Sequence, residues 1–228
     1  MGRRLGLAIL LAAALPTGTM ADDWHRCPGN GWQVTGASPE EHALVCQGVA
    51  GAAATLAACG VRVGVAPRIR VIQELPKFCG GQVMGLYDPA VDEIVLGDPA
   101  ICATAPPAGS LYDRISPSDA FVAIAAHEAA HAMLYAAGLK IERFLEHEYI
   151  AAIVQMSALP EASRARLLEP LRIGDEVRIG QLNPFIYAFA PDYFIALAWT
   201  HFQREPDGCA FLRAMVEGTI RLEDYAPF

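Results

Sequence analysis

His127-Glu128-Ala129-Ala130-His131 places two imidazoles four residues apart, with a carboxylate beside the first. The five residues lie within an apolar run, Phe121 to Leu134, that reads as a helix. Residues four apart on a helix share a face about one turn apart, so both rings can reach a single ion. This is the H-E-x-x-H pattern, in which two histidines hold zinc and the glutamate activates a water. His127 and His131 are therefore candidate metal ligands, Glu128 the candidate general base, and Zn2+ the candidate cofactor.

Catalytic zinc usually takes three protein ligands and leaves a fourth position open. The third is expected downstream, on an element packed against the first helix. Glu142, Glu146, His147 and Glu148 are available there. Ile141, Leu145, Glu148, Ala152, Gln155, Met156 and Leu159 recur at steps of three and four, which puts Glu148 on an apolar stripe. A buried carboxylate costs several kcal/mol unless it is paired or holds a metal. Glu148 is thus the favoured third ligand, with His147 as its rival. Glu142 and Glu146 fall on a more polar face and read as solvated. Gln155 shares the face of Glu148, either as a partner of a ligand or as a plain core-edge amide. Tyr187, Tyr193 and His201 lie in the part of the chain from which an oxyanion donor could come, and spacing does not choose among them.

Caps and breakers set the elements that must position these groups. Ser116-Pro117-Ser118-Asp119 opens the metal-bearing helix with an N-cap, a first-turn proline and an acidic third position. Gly138 closes it. A further helix is expected over about 142–159, and Pro160 starts another to about Leu171. The last helical segments are placed at about Pro191 to Arg204 and Gly208 to Gly218. Nearer the start, Ser38-Pro39-Glu40-Glu41 opens a helix that runs to about Ala58, with Gly60 as its stop. Arg68 to Leu75 reads as a strand. Gln82 to Tyr87 and Glu93 to Leu96 read as a hairpin across Asp88-Pro89-Ala90-Val91-Asp92. Residues 22–37 read as irregular. The run from Phe185 to Trp199 is apolar but is interrupted by Pro191 and Asp192, which favours core over membrane span.

The first residues have the form of a secretory signal: Arg3 and Arg4, an apolar stretch from Leu5 to Leu15, then small residues up to Ala21. Cleavage after Ala21 would take 21 residues from 228 and leave a single domain, 22–228, of 207. It would also take the formal charge from −8 to −10, which speaks against nucleic acid as a partner. All six cysteines follow the signal. An even count in an exported chain suggests disulfides; Cys79 and Cys102 flank the hairpin and are the favoured pair among many.

The motif and the downstream glutamate resemble the zincins, and within them the gluzincins, over about residues 66–160. The chain also looks like uncharacterised secreted bacterial proteins of zincin-like fold. The hairpin from Gly85 to Leu96 resembles the strand pair that precedes the active helix in many zincins. The resemblance implies an α+β, zincin-like fold: a small N-terminal mixed or antiparallel sheet with an edge hairpin, the metal-bearing helix, and a mostly helical C-terminal half. It implies a secreted or periplasmic bacterial metallopeptidase, with a peptide or protein as substrate and no membrane span after signal cleavage. H-E-x-x-H-x-x-G-x-x-H is absent, since Leu134 and Ala137 stand at the glycine and third-histidine positions. A zincin-like domain without turnover, acting as a binding module, is the alternative.

Overall fold

The computed structural model describes residues 23–61, 64, 67–73, 77–78, 81–82, 84–100, 111–174 and 176–225. The signal-like segment, Cys79 and Cys102 lie outside them.

The architecture is α+β, a small mixed sheet beside a larger helical body. Strands β1 (His25–Arg26), β2 (Gln33–Thr35), β3 (Arg68–Ile72), β6 (Gly85–Asp88) and β7 (Glu93–Gly97) form one sheet in the order β1-β2-β3-β7-β6; β4 (Lys77–Phe78) and β5 (Gly81–Gln82) pair separately. β2, β3 and β7 run parallel, while β1 and β6 are antiparallel edges. The expected hairpin is β6–β7, with Gly85 opposite Leu96 and Tyr87 opposite Ile94, but its first strand starts at Gly85, while Gln82, expected in it, lies in β5 opposite Lys77. Residues 22–37 depart from the irregular reading by supplying β1 and β2. Three residues are too few to show an alternating pattern, and the strand is stabilised by its parallel pairing with β3.

The first long helix, α1 (Pro39–Ala58), joins β2 to β3. Its start is a full capping box: Ser38 Oγ accepts from the Glu41 amide, and Glu41 accepts from the Ser38 amide at 2.7 Å. The helices that follow are α2 (Pro117–Ala136), α3 (Phe144–Ala158), α4 (Glu161–Leu168), α5 (Pro184–Phe189), α6 (Pro191–Arg204) and α7 (Gly208–Glu217). Ser116 caps α2, accepting from the Asp119 amide at 3.0 Å, and Gly138 ends it at φ +97°.

α2 lies at the centre of the molecule, packed against α1, α3, β6 and β7. Its alanines make this approach close. Gly48 of α1 sits so near that a Cβ there would lie 2.6 Å from the Val122 carbonyl oxygen. α3 is buried along most of its length and packs on α1, α2 and α6. Residues 137–143 join α2 to α3, so these two neighbours run antiparallel and their facing residues meet in reverse order.

Two disulfides fasten the periphery. Cys27–Cys46 ties the end of β1 to α1, and Cys59–Cys209 ties the end of α1 to α7 across a separation of 150 residues. Among the described residues, no helix is long and apolar enough to cross a membrane.

Candidate metal centre

The α2–α3 pair brings His127, His131 and Glu148 together. The two Nε2 atoms are 3.0 Å apart, and each lies 3.5 Å from an oxygen of the Glu148 carboxylate. A tetrahedral site with metal–ligand bonds of about 2.0–2.1 Å separates its ligand atoms by about 3.3 Å. The imidazole pair at 3.0 Å is close to that edge, and the two 3.5 Å contacts go to different oxygens of Glu148, so the carboxylate lies within ligand reach of both rings; two imidazoles and a carboxylate are a donor set that suits zinc. Among the described residues, one other group of this kind occurs: Cys27, His42 and Cys46, whose two sulfurs are joined to each other.

Gln155 fixes the ring of His127. Its Oε1 lies 2.7 Å from His127 Nδ1, and its Nε2 donates to the Tyr112 hydroxyl. A histidine that donates from Nδ1 keeps Nε2 for a metal, and such partners set both ring orientation and basicity. Gln155 is buried, seven residues beyond Glu148 on the same helix. The amide is thus a hydrogen-bond partner of His127, and it would be a partner of a ligand if His127 holds a metal. Tyr112 was not legible, because its position before α2 places it at the site only through tertiary packing.

His147 does not face the trio. Its Nε2 lies 3.1 Å from the Leu139 carbonyl oxygen, which makes that nitrogen the protonated donor, and its ring lies against that of His131 at 5.6 Å. Burial lowers its pKa, so it is a neutral core histidine. Glu146 corrects the sequence reading: it is buried, 4 % exposed, not solvated. Its carboxylate meets Arg143 at 3.0 Å and accepts from the Leu222 amide at 2.8 Å. Arg143 in turn donates to the Met215 and Ile220 carbonyls, so this pair fastens the C-terminal stretch to the start of α3. Glu142 is exposed as expected, but it precedes the helix, which begins at Phe144.

Glu128 lies beneath the sheet edge. A Cβ on Gly85 of β6 would fall 2.7 Å from its Cγ, and the Tyr87 backbone amide donates to its carboxylate. Only glycine at 85 leaves room for the carboxylate at this spot. Of the three oxyanion candidates, Tyr187 on α5 reaches the site, where its hydroxyl donates to Glu148. Burial, followed by the Glu148 charge, raises its pKa and keeps it a proton donor. His201 bonds instead to the Tyr149 hydroxyl at 2.9 Å and to Glu205 at 3.3 Å. Tyr193 packs at the edge of the hydrophobic core.

The charges in the trio are interlocked. Burial would lower the pKa of His127, but the hydrogen bond and charge of Glu148 outweigh it and raise the value to about 9. Burial lowers His131 to about 3. Burial would raise Glu148, yet the hydrogen bond from His127 and the two imidazoles bring it to about 2. Burial raises Glu128 to about 7. At neutral pH the metal-free site therefore holds a proton on His127 Nε2, where an ion would bind. Metal and proton compete for that nitrogen, so affinity falls as pH falls below about 9. Zinc uptake at pH 7 should release about one proton from this histidine, and affinity should rise about tenfold per pH unit from 6 to 8. Calorimetric titration in buffers of different ionisation enthalpy measures both; uptake without proton release would contradict this charge state.

A family model described as "Family of unknown function (DUF6639)" matches residues 32–225. No curated protein and no solved structure matches the chain. The matched stretch includes α1, the hairpin, α2 and α3, and with them His127, Glu128, His131 and Glu148. The chain belongs to this family of unknown function, DUF6639.

Proposed function

We propose that this protein is an exported, zinc-dependent hydrolase of zincin-like fold that cleaves peptide bonds. The observation that carries the reading is the convergence of two imidazoles and one carboxylate, their nearest donor atoms 3.0–3.5 Å apart, with a second carboxylate, Glu128, on the same turn of helix. Zinc held in such a site supplies an acidified water and a Lewis acid for a carbonyl.

The chain's own residues supply the rest. Glu128, buried and raised to about 7, is suited to take a proton from water and return it to the leaving amine. The Tyr187 hydroxyl, now donating to Glu148, is placed to donate to an oxyanion beside the ligands. β6 is a sheet edge whose Tyr87 amide already reaches Glu128, and an extended peptide can pair along such an edge by main-chain hydrogen bonds. The two disulfides and the signal-like start support export to an oxidising compartment.

Metal analysis of the purified protein after signal removal tests the reading. About one equivalent of zinc is expected, removed by a chelator together with peptide cleavage and restored with it on re-addition. Less than about half an equivalent, unchanged in His127→Ala, would overturn it.

A further inference from the structure

We propose that the site is built for peptides carrying a bulky apolar or aromatic side chain next to the bond cleaved, with Tyr135 and Phe144 as the specificity residues; this rests on the hydrolase reading above. Both helices of the metal site continue their metal-facing rows with an aromatic residue one turn further on. On α2 the row is His127, His131, Tyr135, in steps of four. On α3, Phe144 stands four residues before Glu148. Residues so spaced share a helix face.

The register between the helices places the two aromatics at the same end. His127 meets Gln155, and Glu148 meets both histidines. Counting on in opposite directions along the antiparallel pair brings Tyr135 and Phe144 to one level, at the end nearest the 137–143 connection. The metal position therefore has a polar end at Gln155 and Tyr112 and an aromatic end at Tyr135 and Phe144.

Each of these two rings lies against the ring of a residue that also bonds Glu128 or Glu148, through its backbone amide or its hydroxyl. Tyr135 lies against Tyr87 at 6.1 Å, and the Tyr87 amide holds Glu128. Phe144 lies against Tyr187 at 5.8 Å, and the Tyr187 hydroxyl holds Glu148. Both rings are nevertheless 43 % exposed, although α2 and α3 are otherwise largely buried. Half-exposed rings packed against neighbouring rings present apolar surface, and a substrate side chain seated there would lie about one turn, roughly 5 Å, from the metal ligands. The contiguity of this surface with the ligand rows identifies its occupant as the substrate side chain beside the scissile bond.

The experiment uses zinc-loaded Glu128→Gln protein, so that binding is measured without turnover. Its ligands are blocked peptides Gly-Gly-X-Ala with X as Phe, Leu, Ala or Asp, and wild-type cleavage of the same peptides is measured in parallel. Phe and Leu peptides should bind at least about tenfold more tightly than Ala and Asp peptides. Adding Tyr135→Ala and Phe144→Ala should bring the four affinities within about threefold, with zinc content unchanged as the check on folding. Phe144→Leu, which keeps an apolar side chain, should retain the preference. Equal affinities, no binding of any peptide, or a preference that survives the double replacement would overturn the proposal. A preference in binding with no cleavage by wild type would leave the aromatic site standing and overturn the hydrolase reading instead.

Discussion

Glu128→Gln should leave zinc content unchanged and lower the rate of peptide cleavage by about 10²–10⁴-fold, the range over which a positioned acid–base group acts. Glutamine matches glutamate in size, so it fits under Gly85 without moving β6 or the helix turn that carries His127. What it lacks is the capacity to take a proton from water. The reason to expect the upper part of the range is the care with which this carboxylate is placed. It is 7 % exposed, lies in space that a Cβ at residue 85 would fill, and accepts from the Tyr87 amide. Burial raises its pKa to about 7, where proton uptake and release are both accessible near neutrality. The measurement is kcat at saturating zinc for both proteins, alongside metal analysis. A variant with wild-type kcat would remove Glu128 from the chemistry. Retained zinc with no cleavage by either protein would favour the binding module over the enzyme.

Much of this site is visible in local sequence pattern because its first ingredients are local. The i, i+4 spacing of His127 and His131 needs only a helix, and Ser116, Pro117 and Gly138 mark where that helix starts and stops. Desolvation singles out Glu148: a carboxylate within an apolar stripe must have a partner. The stripe is one turn shorter than its spacing implies, since Ile141 precedes α3 and is 44 % exposed. What stayed hidden depends on partners far away in sequence. Glu146 looks solvated until Leu222, 76 residues on, is seen to donate to it. Gln155 gains its purpose from His127 and Tyr112, 28 and 43 residues away. Sequence pattern does not rank Tyr187, Tyr193 and His201: Asn183 and Pro184 mark the start of the six-residue α5, but only tertiary packing turns its Tyr187 toward Glu148. β2 escaped for the same reason, a three-residue strand defined by its neighbour β3 rather than by its own pattern.

Glu148→Ala and His147→Ala should separate metal affinity from fold stability, and they should do so in opposite senses. A complete four-ligand zinc site contributes about 10–16 kcal/mol, so one ligand of the set is worth about 2.5–4 kcal/mol, or about 10²–10³-fold in affinity. Glu148 is the sole carboxylate of the trio, with one oxygen toward each histidine at 3.5 Å, and its removal should cost that amount. Its loss should also lower the pKa of His127, because the partner that outweighs burial would be gone. Zinc competes with a proton for that nitrogen, so the lower pKa returns part of the affinity at neutral pH and keeps the net loss near the lower figure. His147 is different. Its ring is 1 % exposed, bonded to the Leu139 carbonyl and packed on His131. Truncating it leaves a buried carbonyl without its donor and a void beside a ligand, at a cost of about 1–3 kcal/mol in unfolding free energy. The effect on zinc affinity should be about tenfold or less, since His131 keeps its backbone position and loses only a packing neighbour. Zinc titration against a competing chelator reads the first quantity, and denaturant unfolding of the metal-free proteins reads the second. If His147→Ala lost the greater affinity, the third ligand would have to be His147. That would require its ring to abandon the Leu139 carbonyl and turn toward His127 and His131.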